Sequence, residues 1–416
     1  MRVSEPLSDL IARQRPGWSL QGPFYTSAQI YEVERPGLLA EKWYVLAHCS
    51  EVNSPGKVIV RSLLGESLIL VRGAEGVLRA FYNVCRHRGS RICEADEQVS
   101  SLTCPYHAWS YRLDGSVRSA PAMARNIDLT RLGLHPIAVR EIGGVIFASL
   151  RGHPQQLDNV DEQAAPMLRY HGIHQARIAA RRSYRTYANW KLVMENFFEC
   201  YHCYPTHAEY CSAMPHVKLI AREPTPEVAA AWKKELTKWF RDEADPNSPA
   251  GGAELDFSGK ATEVISRTMI GGGRKTQSAD GLPVAPLMGR VSRFDGAVAL
   301  FRMRPFCFLI LLNDYAVMFH FSPRGPEDTD VTLSWLVDGT AAESEVDVER
   351  MVWMWDVTTL QDKVIVERNA EGVRSLSYTP GPYSETLEQG PAQFIKTYLQ
   401  ELTTTGTDVR SSPTPE

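Results

Sequence analysis

Two short segments of the sequence combine cysteine with histidine at close spacing. The first is Cys85-Arg86-His87 in NVCRHRGSRIC, and the second runs from Cys104 to His107 in CPYHAWSY. Thiolate sulfur and imidazole nitrogen are ligands of soft and borderline transition metals. Because each segment supplies one sulfur and one imidazole, we expect the four side chains to bind one metal centre.

A structural zinc ion is the simplest alternative, since zinc sites also use two Cys and two His. Zinc-site sequences usually group cysteines first and histidines last, whereas both segments here are mixed. Mixed segments suit a two-iron cluster of the Rieske type, in which one iron takes both thiolates and the other takes both imidazoles. We therefore predict a [2Fe-2S] cluster, and we interpret the intervening Cys93 as a packing residue.

A second group of candidate ligands lies in ENFFECYHCYPTH, at residues 195–207. On a predicted helix over residues 189–204, Glu199 and His202 share a face. His202 and His207 would diverge by about 140° on an ideal helix, so we expect the helix to break between them, at Pro205. Two histidines and one carboxylate with open positions form the ligand set of non-haem Fe(II) oxygenases.

Several residues near these ligands keep two interpretations. On a predicted helix at 345–370, Asp356 and Asp362 lie about 120° apart, so only one of them faces the iron, and helix geometry leaves the choice open. For Glu195 and Asn196 two interpretations stay open: they support the iron ligands from behind, or they form a solvated edge of the helix. For Cys200 and Cys203 core packing is the preferred interpretation, because no second Cys-x-x-Cys pair accompanies them.

The elements that must position these residues fall into two regions. Short strands with turn signals fill residues 43–150, which we predict to be an all-β domain containing both Cys/His segments. Residues 151–400 alternate helices with strands and include a loop-rich insertion at 245–290. Residues 1–42 are predicted to be an arm of the second domain, and 401–416 a disordered tail.

Composition limits the class of protein. The 416 residues are 44% hydrophobic and 23% charged, with a formal net charge of −4, typical of a globular chain in water. This charge gives no electrostatic reason to expect nucleic acid or an anionic membrane as partner. The longest apolar run, FCFLILL, is too short to cross a bilayer, and the first residues lack a secretory apolar core. The eight cysteines form no dense disulfide framework, so we expect a reducing cytoplasm.

The two motifs, in this order, resemble the large (alpha) subunit of the Rieske non-haem iron oxygenases from about residue 25 to 400. The family motif NW-K-x-x-x-EN-x-x-[D/E]-x-x-H-x4-H matches its iron histidines to His202 and His207. A later segment, LQDKVIVERNAEGVRS, matches its carboxylate ligand to Asp362 rather than Asp356. The resemblance implies an α+β fold: an all-β Rieske domain plus a catalytic domain whose antiparallel sheet is wrapped by helices, as in helix-grip or START-like folds.

The family's bridging acid falls on Glu199, where ring-hydroxylating members usually have Asp. Glu resembles the branch that acts on carnitine, glycine betaine, choline and stachydrine. The resemblance implies a homotrimer in which Glu199 links a cluster histidine of one chain, His87 or His107, to His202 of the next. It also implies electrons from NAD(P)H through a flavin and ferredoxin-type reductase, and O2-dependent hydroxylation that removes an N-methyl group or cleaves a C–N bond.

Two further functions stay open from the sequence. An oxygenase that attacks aromatic rings would use the same ligands, and a β-type partner chain would then be expected. An electron carrier, or a binding protein stapled by zinc, would have no catalysis and no mononuclear iron. The apolar residues around the iron motif accommodate either an arene or a quaternary ammonium group, so they do not decide between the first two.

Overall fold

A computed structural model describes residues 6–217, 225–249 and 265–408, with side chains up to residue 404. Within these ranges no helix has the length and apolar character needed to cross a membrane. The α-helices are Leu7–Ala12 (α1), Gly22–Thr26 (α2), Ala28–Gly37 (α3), Asp158–Tyr170 (α4), Trp190–Phe197 (α5), Cys203–Thr206 (α6), Ala208–Ala213 (α7), Pro226–Asp242 (α8), Val348–Val373 (α9) and Gln389–Asp408 (α10).

The strands of the first region are Tyr44–His48 (β1), Lys57–Leu63 (β2), Glu66–Arg72 (β3), Leu78–Tyr82 (β4), Glu97–Gln98 (β5), Leu102–Thr103 (β6), Ser110–Tyr111 (β7), Val117–Ser119 (β8), Ala138–Ile142 (β9) and Val145–Ser149 (β10). They form three antiparallel sheets, ordered β1-β10-β9, β4-β3-β2-β5 and β6-β7-β8. Asp114 and Gly115 make the predicted hairpin turn between β7 and β8, with Gly115 at φ 86°. One Cys/His segment follows β4, and the other is the loop between β6 and β7.

The strands of the second region are Arg177–Thr186 (β11), Ile265–Met269 (β12), Ala297–Met303 (β13), Cys307–Leu311 (β14), Ala316–Gly325 (β15) and Asp328–Val337 (β16). They form one antiparallel sheet, ordered β11-β16-β15-β14-β13-β12. Successive side chains of β13 point to opposite faces of this sheet. Val298 packs into the core on the face covered by helices, while Ala299 and Phe301 pack into a second core on the other face.

Helix α9 is the longest element of the chain and lies against β11. The side chain of Asp347 caps it by accepting a hydrogen bond from the Arg350 backbone. Its apolar residues, including Met351 and Val352, are buried in the core between helix and sheet. The helix therefore holds any polar residue on its inner face in a fixed position over the sheet.

A buried ion pair ties α5 to the N-terminal helices. Lys191 Nζ donates to Glu34 Oε1 over 2.7 Å, and both side chains are fully buried. Trp190 Nε1 donates to the second oxygen of Glu34 over 3.0 Å, and the Tyr398 hydroxyl of α10 donates to the first over 2.5 Å. Because a buried charge needs every available partner, this cluster fixes α3, α5 and α10 relative to one another.

The predicted α+β class is confirmed: the first region is all-β, and the second is an antiparallel sheet covered by helices. Two boundaries were wrong. The expected insertion at 245–290 contains the edge strand β12, which pairs with β13; its residues 250–264 lie outside the described ranges. The expected tail from 401 begins as part of α10, because Leu402 is buried in the core, and residues 409–416 lie outside the described ranges.

Candidate metal centres and active site

The two Cys/His segments have matching backbone turns. The Gly89 amide donates to the carbonyl of Cys85 over 2.9 Å, and the Ala108 amide donates to that of Cys104 over 3.1 Å. Gly89 and Ala108 both have positive φ, at 77° and 56°. An alanine rarely adopts this left-handed conformation, so the second loop accepts strain to reproduce the shape of the first.

The side chains of these turns gather around Tyr111. Its hydroxyl lies 3.3 Å from Cys85 Sγ. Burial first, then the hydrogen bond with Cys85 and the charges of Cys85 and Cys104, raise the pKa of Tyr111. The rings of His87 and His107 lie 4.7 Å apart, centroid to centroid, and His87 also stacks on Trp109. The four predicted cluster ligands are therefore brought together.

The state of these side chains fits a bound cluster. Cys85 and Cys104 are buried free thiols. His87 Nδ1 is buried and has no hydrogen-bond partner among the described residues, which is costly unless another group binds it. His107 is exposed at the surface. The thiol side of the site is therefore shielded from water, and the imidazole side faces outward, as suits transfer of electrons to a partner. Cys93 is a buried packing residue, as expected.

The segment with the iron histidines folds differently from the prediction. Helix α5 ends at Phe197, so the break lies before His202 and not at Pro205, which is inside α6. Glu199 explains the break, because its carboxylate accepts hydrogen bonds from the backbone amides of Tyr201 and His202 and so starts a new turn. His202 and His207 flank the four residues of α6 as its N-cap and C-cap.

Both histidines point at the same atom of Asp362. His202 Nε2 lies 3.3 Å from Asp362 Oδ1, and His207 Nε2 lies 3.0 Å from it. Separations of about 3 Å are those of neighbouring ligands around an ion with bonds of about 2.1 Å. The two imidazoles and the carboxylate therefore fit a single metal ion.

The other nitrogen of each imidazole is held by a second side chain. His202 Nδ1 hydrogen-bonds to Glu199, and His207 Nδ1 lies 2.8 Å from Gln361 Oε1. Gln361 in turn donates to Glu209 over 2.8 Å. Acceptors at Nδ1 keep the proton there, which leaves each Nε2 lone pair for a metal ion.

Electrostatics at this site favour a cation. Burial opposes a charge on His202, but hydrogen bonds to Asp362 and Glu199 outweigh it and raise the pKa of His202 to about 9. Burial likewise opposes ionisation of Asp362, but its contacts with His202 and His207 lower its pKa below the ordinary value. A metal cation would take the place of the proton that these carboxylates stabilise.

The competing acid, Asp356, lies elsewhere. Its two oxygens accept hydrogen bonds from the side chains of Arg182 and Tyr184, both on β11. Helix α9 thus directs Asp356 to the sheet edge and Asp362 to the histidines, in keeping with the angle between them on a helix.

Cys200 and Cys203 are joined by a disulfide, so the prediction of two packing cysteines was wrong. The turn before α6 brings their Cα atoms to 4.9 Å, within the usual range for a disulfide. Cys203 Sγ lies close to the two imidazoles, but in the disulfide it offers no thiolate to a metal. The bond instead braces the turn that carries Glu199 and His202.

His202, His207 and Asp362 line a cavity of about 140 Å3 between the helices and the sheet. This is small compared with pockets for drug-sized ligands, roughly 300–1,000 Å3. Five aromatic side chains contribute to its wall: Phe197, Phe198, Tyr210, Phe308 and Trp355. Such a cavity has room for a small molecule between ring faces.

Sequence reasoning left several site residues undecided or missed them. Asn196 lines the cavity with its side-chain nitrogen 3.3 Å from His202 Nε2, so it is not a solvated edge. Glu195 accepts hydrogen bonds from the hydroxyls of Tyr25 and Tyr383. Thr358 was missed, although its position one helical turn before Asp362 places both on one face of α9.

Three of the other histidines lie in the interior, in keeping with the prediction that they are ordinary core residues. His48, His171 and His320 contact backbone carbonyls in the interior, and burial lowers the pKa of each. None of the three lines the cavity that contains the iron ligands.

Residues 42–140 match the Rieske [2Fe-2S] domain, and residues 173–404 match the ring hydroxylating alpha subunit (catalytic domain). The glycine betaine monooxygenase oxygenase subunit of Chromohalobacter salexigens is 33% identical, covering 95% of this chain and 88% of that protein. The carnitine monooxygenase oxygenase subunit of Acinetobacter pittii is 35% identical, covering 50% of this chain and 57% of that protein.

A solved structure of a quaternary ammonium Rieske monooxygenase has the same fold. That structure gave insights into carnitine oxidation and inter-subunit electron transfer. Its TM-score is 0.69 at 22% identity, covering 96% of this chain and 99% of that one. These matches are incompatible with a zinc-stapled binding protein or a simple electron carrier. The chain belongs to the ring-hydroxylating alpha subunits of the Rieske oxygenases, and it is an oxidoreductase that uses a [2Fe-2S] cluster and a mononuclear iron.

Proposed function

We propose that the chain is the oxygenase component of a system that hydroxylates a C–H bond of a quaternary ammonium or N-methyl compound, with N-demethylation or C–N cleavage as the outcome. The observation that carries this proposal is the convergence of His202, His207 and Asp362 in a small cavity walled by aromatic rings. Ring faces attract quaternary ammonium groups, each contributing about 0.5–2 kcal/mol. The relatives named above act on such compounds.

In this proposal four residues hold the cluster: Cys85, His87, Cys104 and His107. The mononuclear ferrous ion is held by His202, His207 and Asp362. When bound, the cluster supplies single electrons and the ferrous ion supplies O2 chemistry at a C–H bond.

The chain's own groups orient the ligands and shape the cavity. Glu199 holds a proton on His202 Nδ1, and Gln361 holds one on His207 Nδ1, so that both Nε2 atoms face the ion. The aromatic walls displace water from the substrate and favour its ammonium group over hydrated cations of similar charge. The ligands come from both α9 and the ends of α6, so two separate elements of the fold position the site.

The same proposal includes the partners. A reductase with flavin and a ferredoxin-type centre would pass electrons from NAD(P)H to the exposed imidazole side at His107. In a homotrimer, Glu199 would link His202 of one chain to a cluster histidine, His87 or His107, of the next. Tyr201, beside Glu199, is 52% exposed, which supports a contact surface at this point. We place the protein in the cytoplasm, where such a reductase finds NAD(P)H.

The test combines iron-loaded protein, a Rieske-type reductase, NADH and O2 with glycine betaine, carnitine or naphthalene, and measures formaldehyde and trimethylamine. Formaldehyde or trimethylamine from a quaternary ammonium compound, absent in an Asp362→Ala variant, supports the proposal. A hydroxylated arene with neither formaldehyde nor trimethylamine would replace it with the ring-hydroxylating alternative. Asp356→Asn serves as the matched control, because Asp356 contacts the sheet and not the histidines.

A further inference from the structure

A second, smaller cavity adjoins the one that contains the candidate iron ligands. Its volume is about 40 Å3, and it lies between the sheet and helices α5 and α9. Most of its wall is formed by buried apolar side chains, which are Val193, Phe319, Phe321, Val331, Trp355 and Val366. We call this space the side cavity, to distinguish it from the larger cavity described above.

The two cavities meet at the candidate iron site. The residues that line both of them are Asn196, Phe197, Trp355 and Asp362. Asp362 is the carboxylate ligand, and Asn196 Nδ2 lies 3.3 Å from His202 Nε2, the nitrogen that is left for the ion. A small molecule in the side cavity therefore lies next to the metal ligands and can reach them without crossing the larger cavity.

The polar side chains around the side cavity already have partners within the chain. The hydroxyls of Thr186 and Thr359 donate to backbone carbonyls of their own segments, over 3.4 and 2.6 Å. The ammonium group of Lys363 pairs with the carboxylate of Glu367. A buried water is held by two to four polar groups that would otherwise be unsatisfied. Because these groups are engaged elsewhere, the side cavity favours an apolar occupant over water.

We propose that the side cavity holds O2 and supplies it to the metal ligands past Asn196, while the organic substrate occupies the larger cavity. O2 is uncharged and apolar, so its transfer from water into a dry apolar space is favourable. The volume exceeds the roughly 10–15 Å3 that a single water needs, which is enough for a diatomic molecule, and it excludes an arene or a quaternary ammonium compound. The inference rests on the use of O2 in the proposed function and is independent of which compound is oxidised.

Xenon tests the occupant directly, because it is an apolar atom that binds dry apolar cavities. Crystals of the full-length, iron-loaded protein are pressurised with xenon, and anomalous diffraction locates the bound atoms. We expect a xenon atom in contact with Phe319, Val331 and Val366. An ordered water in the side cavity, with no xenon bound there under pressure, would overturn the proposal.

Variants that fill the side cavity test whether its occupant is the O2 that reacts. Val331 on β16 and Val366 on α9 line the side cavity but not the larger one, and isoleucine at either position adds one carbon to the wall. The single variants and the double variant Val331→Ile/Val366→Ile are all measured, because added volume can destabilise a core. Val352→Ile is the matched control, since Val352 is also buried on α9 but lines neither cavity.

The rate is measured by stopped-flow mixing of chemically reduced protein with buffers of known O2 content, following the visible absorbance of the cluster. Each variant is assayed with glycine betaine and, separately, with naphthalene at saturating concentration. We expect the double variant to lose xenon binding and its second-order rate constant for O2 to fall about 3-fold or more. Its iron content and its Kd for the organic substrate should stay unchanged, and Val352→Ile should behave as wild type throughout.

The outcomes separate this inference from the proposed function. A filled side cavity that binds no xenon but leaves the rate constant for O2 unchanged would overturn O2 supply from the side cavity. An equal fall in Val352→Ile would overturn it as well, because the effect would then come from core packing in general. If naphthalene is oxidised and glycine betaine is not, the proposed function fails, and the rate constants measured with naphthalene still decide this inference.

Discussion

Replacing Glu199 by glutamine tests how the outer hydrogen bonds control the iron ligands. In the native turn one carboxylate oxygen faces His202 Nδ1, and the other accepts from the backbone amides of Tyr201 and His202. Glutamine has a single oxygen, so it serves either the backbone or the imidazole. If its NH2 group faces His202, the imidazole is driven to the tautomer protonated at Nε2, which cannot bind a metal.

The magnitude follows from the bond that is lost. A hydrogen bond to a charged group contributes about 1.5–3 kcal/mol, and replacing an outer partner of a metal-bound histidine typically weakens metal binding about 10- to 100-fold. We therefore expect Glu199→Gln to raise the Kd for Fe(II) by roughly 10- to 100-fold. Anaerobic titration of the iron-depleted site against a chelator measures this Kd, and the visible absorbance of the cluster shows that the Rieske domain is intact.

Glu367→Gln is the matched control, since this α9 carboxylate pairs with Lys363 and not with a histidine. It should bind Fe(II) as the wild type does. A Glu199→Gln variant with unchanged Fe(II) affinity would refute the argument that this carboxylate sets the tautomer of His202. Glu199→Asp, which is shorter by one methylene group, should fall between the two if the contact with Nδ1 depends on reach.

Three more predictions concern residues around the site. Burial raises the pKa of Glu195 from 4.5 to about 7, so between these pH values the folded state binds one proton that the unfolded state has lost. The free energy of unfolding therefore falls as the pH rises from about 4.5 to 7, by up to about 3 kcal/mol. Glu195→Gln should abolish this fall in thermal unfolding scans. Asp362→Asn should lose the mononuclear iron in metal analysis, whereas Asp356→Asn should retain it but unfold at lower temperature. Alkylation without a reductant should leave Cys200 and Cys203 unlabelled, because both are in the disulfide. Replacing both by serine should lower the Tm, because a disulfide that closes so short a loop contributes about 2 kcal/mol.

Short-range patterns were sufficient to predict much of this molecule. Alternating apolar residues and turn dipeptides predicted the all-β region at 43–150, since its hairpin strands depend on contacts between residues close in sequence. The spacing of Cys85, His87, Cys104 and His107 identified a shared centre for the same reason. Strand β12 was missed because its pairing with β13 spans a long intervening segment.

The candidate iron site required contacts that one segment cannot encode. Helix geometry excluded a shared role for Asp356 and Asp362 but did not choose between them. The family resemblance chose Asp362, which in the fold faces His202 and His207. The break before His202 was misplaced because Pro205 is the obvious local signal, whereas the actual cause is the carboxylate of Glu199 bonding to its own turn. A sequence pattern does not show which backbone amides a side chain will hydrogen-bond.

The most direct test of the central claim is the Mössbauer spectrum of freshly prepared, iron-loaded protein kept free of O2. The account predicts two kinds of iron in each chain: a sulfide-bridged pair with one cysteine-ligated and one histidine-ligated site, and a separate high-spin ferrous ion. Asp362→Asn should erase the ferrous signal and leave the pair unchanged. A wild-type spectrum containing the pair alone, in protein that has been supplied with excess Fe(II), would contradict the account.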